Sequence, residues 1–116
     1  MTATLVDTTA TAVAGADGTA TVRFYGPGVS QDVLHVDAIA CTSTSTALPN
    51  VTLYRGESAA GRRIAYNPDG RSGTFRGGGS ADRIGAGDVW SCVWAACTVG
   101  ASCSASLTGT VSRRGA

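Results

Sequence analysis

The 116-residue sequence predicts an all-β fold: a single antiparallel β-sandwich, Ig-like or jelly-roll-like, with an extended N-terminal arm. Three observations predict it. Apolar and polar residues alternate with period two in several stretches, and the three-and-four spacing of an amphipathic helix is absent. Turn signals recur about every eight to twelve residues, the interval of short strands in sandwiches and barrels. The length suits one domain, which buries roughly 65% of the surface its unfolded chain exposes.

The elements follow in chain order. Residues 1–18, MTATLVDTTATAVAGADG, are rich in Thr and Ala and weakly apolar. They read as an extended arm or an edge strand, with little to gain from folding on their own domain. Such a segment gains order by adding a strand to a neighbour, with Thr2, Thr4, Leu5, Val6 and Val13 as its contact residues. The sandwich spans 19–112, and 113–116 form a C-terminal tail. TATVRFY (19–25) sets Val22 and Phe24 against Arg23 and Tyr25, and GPG (26–28) ends it. QDVLHVDAIAC (31–41) is a long strand. Strict alternation puts Leu34, Val36, Ala38 and Ala40 on one face, and Val33, His35, Asp37, Ile39 and Cys41 on the other. A polar loop (43–50) leads to the short strands VTLYR (51–55) and RRIAY (62–66). In the turn NPDG (67–70), Pro68 presets φ, Asp69 is a turn former, and Gly70 is expected to supply a positive φ. Residues 71–88 are glycine-rich, with short strands around Phe75 and Ile84. DVWSCVWA (88–95) places Trp90, Cys92 and Trp94 on one face. After a loop at 96–101, the segment ASCSASLTGTVSRR alternates small hydroxyls (Ser102, Ser104, Ser106, Thr108, Thr110, Ser112) with small apolar residues (Cys103, Ala105, Leu107, Gly109, Val111). One face is for a core and the other for water.

Composition narrows the function. A formal charge of +1 gives no field for nucleic acid. No run approaches the ~20 apolar residues of a membrane span. The N-terminus lacks the basic and apolar regions of a secretory signal, so a chain made in the cytoplasm and remaining soluble is expected. Cys92, Cys97 and Cys103 follow a C-x4-C-x5-C spacing, without the close pairs of most zinc sites. With Cys41 they are expected to be buried thiols, with one or two disulfides formed later as the alternative, and no metal or cofactor is expected.

His35 is the sole histidine, with Asp37 two residues on and no G-x-S-x-G nucleophile motif in the chain. It reads as a surface histidine rather than part of a triad. RGGGS (76–80) and GAG (85–87) read as flexible surface connections, because neither opens a helix after a strand as phosphate loops do. A domain this small offers little room for a deep cleft, so no enzyme is expected. Trp90 and Trp94 lie about 13 Å apart on one strand face. They could stack on sugar rings, as in a carbohydrate-binding module that takes a cell-surface glycan. The preferred reading is core, because the chain has only two Trp and two Phe to fill it. Tyr25, Tyr54 and Tyr66 are the more plausible exposed contacts. The pairs Arg62-Arg63 and Arg113-Arg114 either meet acidic patches on a partner or are solvated strand ends.

The order TVRFYGPG, a long strand, PNVTLYRG, NPDGRSGTF, GAGDVWSCVWAAC and GASCSASLTGTV resembles small structural proteins of tailed phages that infect actinobacteria. Tyr54, Gly56, Gly87, Trp94, Gly100 and Gly109 stand at comparable places, and the likeness covers most of residues 19–111. The later three cysteines depart from the pattern. All nine basic residues are Arg and none is Lys, a bias of GC-rich genomes that agrees with such a source. The resemblance implies a virion component: a capsid decoration protein bound to the major capsid protein and to neighbouring copies of itself, or a minor tail protein.

Overall fold

Among the described residues the period-two stretches become nine strands: β1 (Thr4–Val13), β2 (Ala20–Tyr25), β3 (Asp32–Ser43), β4 (Asn50–Arg55), β5 (Arg63–Asn67), β6 (Ser72–Arg76), β7 (Arg83–Gly85), β8 (Val89–Ala95) and β9 (Ser102–Arg113). The computed structural model describes residues 4–28, 32–56, 63–76 and 83–113. Every strand pair is antiparallel. One sheet runs β1-β9-β3-β6, with β7 also paired to β3; the other runs β2-β8-β4-β5.

The pairing has a simple plan. β1 pairs β9, β2 pairs β8, β3 pairs β6 and β7, and β4 pairs β5. The chain is therefore one long antiparallel ribbon whose two arms meet at the β4–β5 hairpin. Rolling that ribbon brings β9 beside β3 and β8 beside β4, which closes the two sheets. Of the two sandwich topologies the sequence leaves open, this is the jelly roll.

The sheets bury their inner faces against each other. Val22, Phe24, Val51, Leu53, Trp90 and Trp94 come from the four-stranded sheet, and Val36, Ile39, Cys41, Cys103, Ala105 and Leu107 from the other. The aromatic rings come from the four-stranded sheet, and aliphatic and small side chains from the other fill the rest of the space between the layers. Both tryptophans are in this core, and the Trp94 indole N–H donates to the Gly70 carbonyl at 2.9 Å. The sugar-stacking pair is thereby corrected: neither ring reaches solvent.

Strict alternation in β3 is corrected too. Val36 pairs with Gly109, but Ala38 pairs with Thr108, so Asp37 is an extra residue in a β-bulge. The bulge switches parity: Leu34 and Val36 face the core before it, Ile39 and Cys41 after it. Gly109 lies opposite. A β-carbon there would collide with the His35 carbonyl oxygen, so only glycine lets the strands close over the bulge.

Two turns differ from expectation. Gly70 is absent from the glycines with positive φ. It is needed for space: a β-carbon would lie 2.9 Å from the Trp94 ring and 3.1 Å from the Asn50 carbonyl carbon. Asp69 does form the turn, its carboxylate accepting from the Arg71 N–H at 3.0 Å while its own N–H donates to the Asn67 side chain. The GAG segment is no flexible connection. It is a tight turn from β7 to β8, closed by the Asp88 N–H on the Gly85 carbonyl at 3.1 Å.

The segment expected to gain little on its own domain is β1, an edge strand fully paired to β9 from Thr4↔Val111 to Val13↔Ser102. Val6, Ala10 and Ala12 pack against the core. Thr9 and Ser106, and Thr11 and Ser104, share hydroxyl hydrogen bonds at 2.9 Å. Short side chains lose little rotamer freedom on ordering, so modest burial and a complete backbone ladder suffice to hold the strand.

Candidate interaction surfaces

The two outer faces carry different chemistry. On the five-stranded sheet, alternation in β9 turns Ser104, Ser106, Thr108, Thr110 and Ser112 outward, each half-buried by its neighbours, with Thr9 and Thr11 of β1 alongside. The bulge opens a concavity of about 510 Å³ in this face, among Leu5, Asp7, His35, Asp37 and Gly109. His35 Nε2 and Ser112 Oγ share a hydrogen bond at 2.9 Å. A histidine on a serine is two-thirds of a hydrolytic triad, yet among the described residues no carboxylate bonds the ring. Among the same residues no group of three or more His, Cys, Asp or Glu is placed to hold a metal.

On the four-stranded sheet the outer face gathers all three tyrosines. Alternation along β2 turns Arg23 and Tyr25 away from the buried Val22 and Phe24, and Tyr25 is 69% exposed. Tyr54 of β4, half-buried, lies opposite Arg63, and Thr52 lies opposite Tyr66, which is 49% exposed. Partners across an antiparallel pair share a face. The Arg63 guanidinium lies over the Tyr66 ring at 5.8 Å from its centroid, a cation–π contact. Tyrosine and arginine are the residues enriched at protein contacts, where they provide large amphipathic area at low entropic cost.

The remaining predicted contact residues fall as follows. Leu5 and Val13 stand exposed on β1, while Val6 turns inward. Thr4 and Arg113 are placed through their backbone pairings only. Thr2, Arg62 and Arg114 lie outside the described residues. The juxtaposition of Tyr25, Tyr54 and Tyr66 across three separate strands was not readable from the sequence; outward parity on each strand was the only available signal.

The cysteines fall into two pairs. Cys97 Sγ and Cys103 Sγ are 3.8 Å apart, and Ser43 Oγ lies 3.2 Å from the latter. Burial and the hydrogen bond to Cys103 push the Cys97 thiol up to about 11. Cys41 on β3 and Cys92 on β8 are buried in the same core cluster, on strands of opposite sheets. The neighbouring Cys41 thiol, with burial, pushes the Cys92 thiol far above its ordinary range, so it keeps its proton at neutral pH. Just before Cys97, Ala96 takes a left-handed φ of 64°.

No protein-family model matches the chain, and no curated protein matches it significantly. Among the described residues no helix is long and apolar enough to cross a membrane.

Proposed function

We propose that the chain is a non-enzymatic structural protein of a phage particle, a decoration protein that binds the outer surface of the assembled head and stabilises it. The observation that carries this reading is the division of the outer surface. One face presents Tyr25, Tyr54 and Tyr66 with Arg23 and Arg63; the other presents the small hydroxyls of β9 and β1, with Leu5, Asp7 and His35 around a shallow concavity. The tyrosine–arginine face suits the major capsid protein. The hydroxyl face suits water, because it wets the particle without a strong charge that would repel neighbouring copies. The open edge of β1 offers backbone groups to an adjacent copy. On a symmetric lattice many weak contacts add, so no copy needs a deep pocket. The jelly roll serves viral coat proteins, lectins and cupins alike, so it accommodates this reading by analogy without selecting it.

The test is to locate and count the protein in purified particles with gold-labelled antibody and quantitative densitometry. Label over the whole head at hundreds of copies is expected on a lattice that repeats the contact. A few copies confined to the tail would replace this reading with a minor tail protein, and absence of label would end the virion reading.

A further inference from the structure

We propose that Cys41–Cys92 and Cys97–Cys103 are disulfide pairs, formed when the chain meets an oxidising environment, and that they staple the two sheets and the β8–β9 loop. This goes beyond the virion reading and does not rest on it.

Four cysteines allow three pairings, and the fold selects one. The Cys97 and Cys103 sulfurs already lie at 3.8 Å. Closing them to the bond length of about 2.05 Å brings the sulfurs together by roughly 1.8 Å. Cys41 and Cys92 sit on β3 and β8, inner strands of opposite sheets, both buried in the core between them, and they are the pair left once Cys97 and Cys103 are matched. All four cysteines are buried. A buried cysteine alone is an ordinary small apolar residue. The distinguishing fact is that one pair lies thiol to thiol and the other faces across the core from the two sheets.

The core gives the staples a purpose. Beside Leu34, Ile39, Ile84 and Leu107, the five-stranded sheet's share includes the small Cys41, Cys103 and Ala105, and small side chains bury little area each. A bond from β3 to β8 would hold the sheets together at the centre and close the long segment 42–91, where cross-linking removes the most entropy from the unfolded chain. The second bond would add a covalent closure to residues 98–102, a segment already held by the Thr98 N–H on Ser45 Oγ at 2.9 Å and by the Gly100 N–H on the Ala14 carbonyl at 2.9 Å.

In each step two thiols lose two protons and two electrons, and one S–S bond forms. The electrons pass to a disulfide oxidant, such as oxidised glutathione, which leaves as two thiols through a mixed-disulfide intermediate. Cys97, nearest the surface of the four, is the entry thiol for its pair. Cys41 and Cys92 have less than 2% of their surface exposed, so their bond forms when the sheets open and reclose, or refold, in the oxidising environment.

The experiment refolds the reduced full-length chain in glutathione buffers of graded ratio, traps free thiols by alkylation, and maps links by mass spectrometry. If refolding yields aggregate, the same mapping is done on protein secreted through an oxidising compartment. The expected result is loss of about 4 Da, links Cys41–Cys92 and Cys97–Cys103 only, and a reductant-sensitive rise in Tm on the order of 10 °C. Four free thiols at an oxidising ratio, or any other pairing, would overturn the proposal. One link alone would overturn it for the other pair.

Discussion

The two sheets are built to opposite rules. The four-stranded sheet puts its bulk inside, with Phe24, Trp90 and Trp94 buried, and still keeps tyrosine and arginine outside. The five-stranded sheet buries aliphatic and small side chains, Leu34, Ile39, Ile84 and Leu107 with Cys103 and Ala105, and turns the serines and threonines of β9 outward. Beside that buried area it uses long backbone ladders and a tight approach, as in the Gly109 contact with the bulge. A sheet of this kind can be long and wettable at once, while its partner sheet supplies the buried tryptophans and the tyrosine–arginine exterior.

Substitutions break this comparison in a definite order. Trp94→Ala removes the largest fully buried side chain and its bond to Gly70. It is expected to cost about 3–5 kcal/mol in denaturant unfolding. The sheet rule fails if that loss is matched by any hydroxyl on the opposite sheet. Gly109→Ala comes next, at about 2 kcal/mol or more, because the new β-carbon meets the rigid His35 carbonyl. Thermal unfolding that matches wild type would mean the bulge can relax away.

Smaller effects sharpen the contrast between the faces. Tyr25→Ala should leave unfolding unchanged within about 0.5 kcal/mol. Its affinity for assembled heads, read by co-sedimentation, should fall roughly tenfold or more. Ala96→Gly relieves a left-handed alanine and should stabilise by about 1 kcal/mol, seen as a Tm higher by several degrees. Thr11→Ala deletes one exposed hydroxyl bond to Ser104 and should cost about 0.5 kcal/mol or less.

The inner and outer faces of β2, β8 and β9 were legible because alternation runs unbroken there: Val22, Trp90, Cys92, Trp94 and Cys103 are all buried as the pattern demands. β3 defeated the same reasoning after Val36, since a bulge is a property of two strands in register and Asp37 carries no mark of it alone. Gly70 was misassigned for a similar reason. The ring it makes room for lies far along the chain, at Trp94. β1 was underrated because its composition is poor in apolar bulk, while its ladder partner lies at the other end of the sequence. The glycines at 56, 87 and 100, which carry much of the phage resemblance, all hold positive φ at strand ends. That likeness therefore reports turn geometry first. The tyrosine cluster needed the strand order β2-β8-β4-β5, which no single segment encodes.

The most direct test of the central claim is mass-spectrometric footprinting of the tyrosines on particle-bound and free protein. The account predicts that Tyr25, Tyr54 and Tyr66 become protected on the particle while peptides of the β9 hydroxyl face stay reactive. Protection of the hydroxyl face with the tyrosines still open would contradict it.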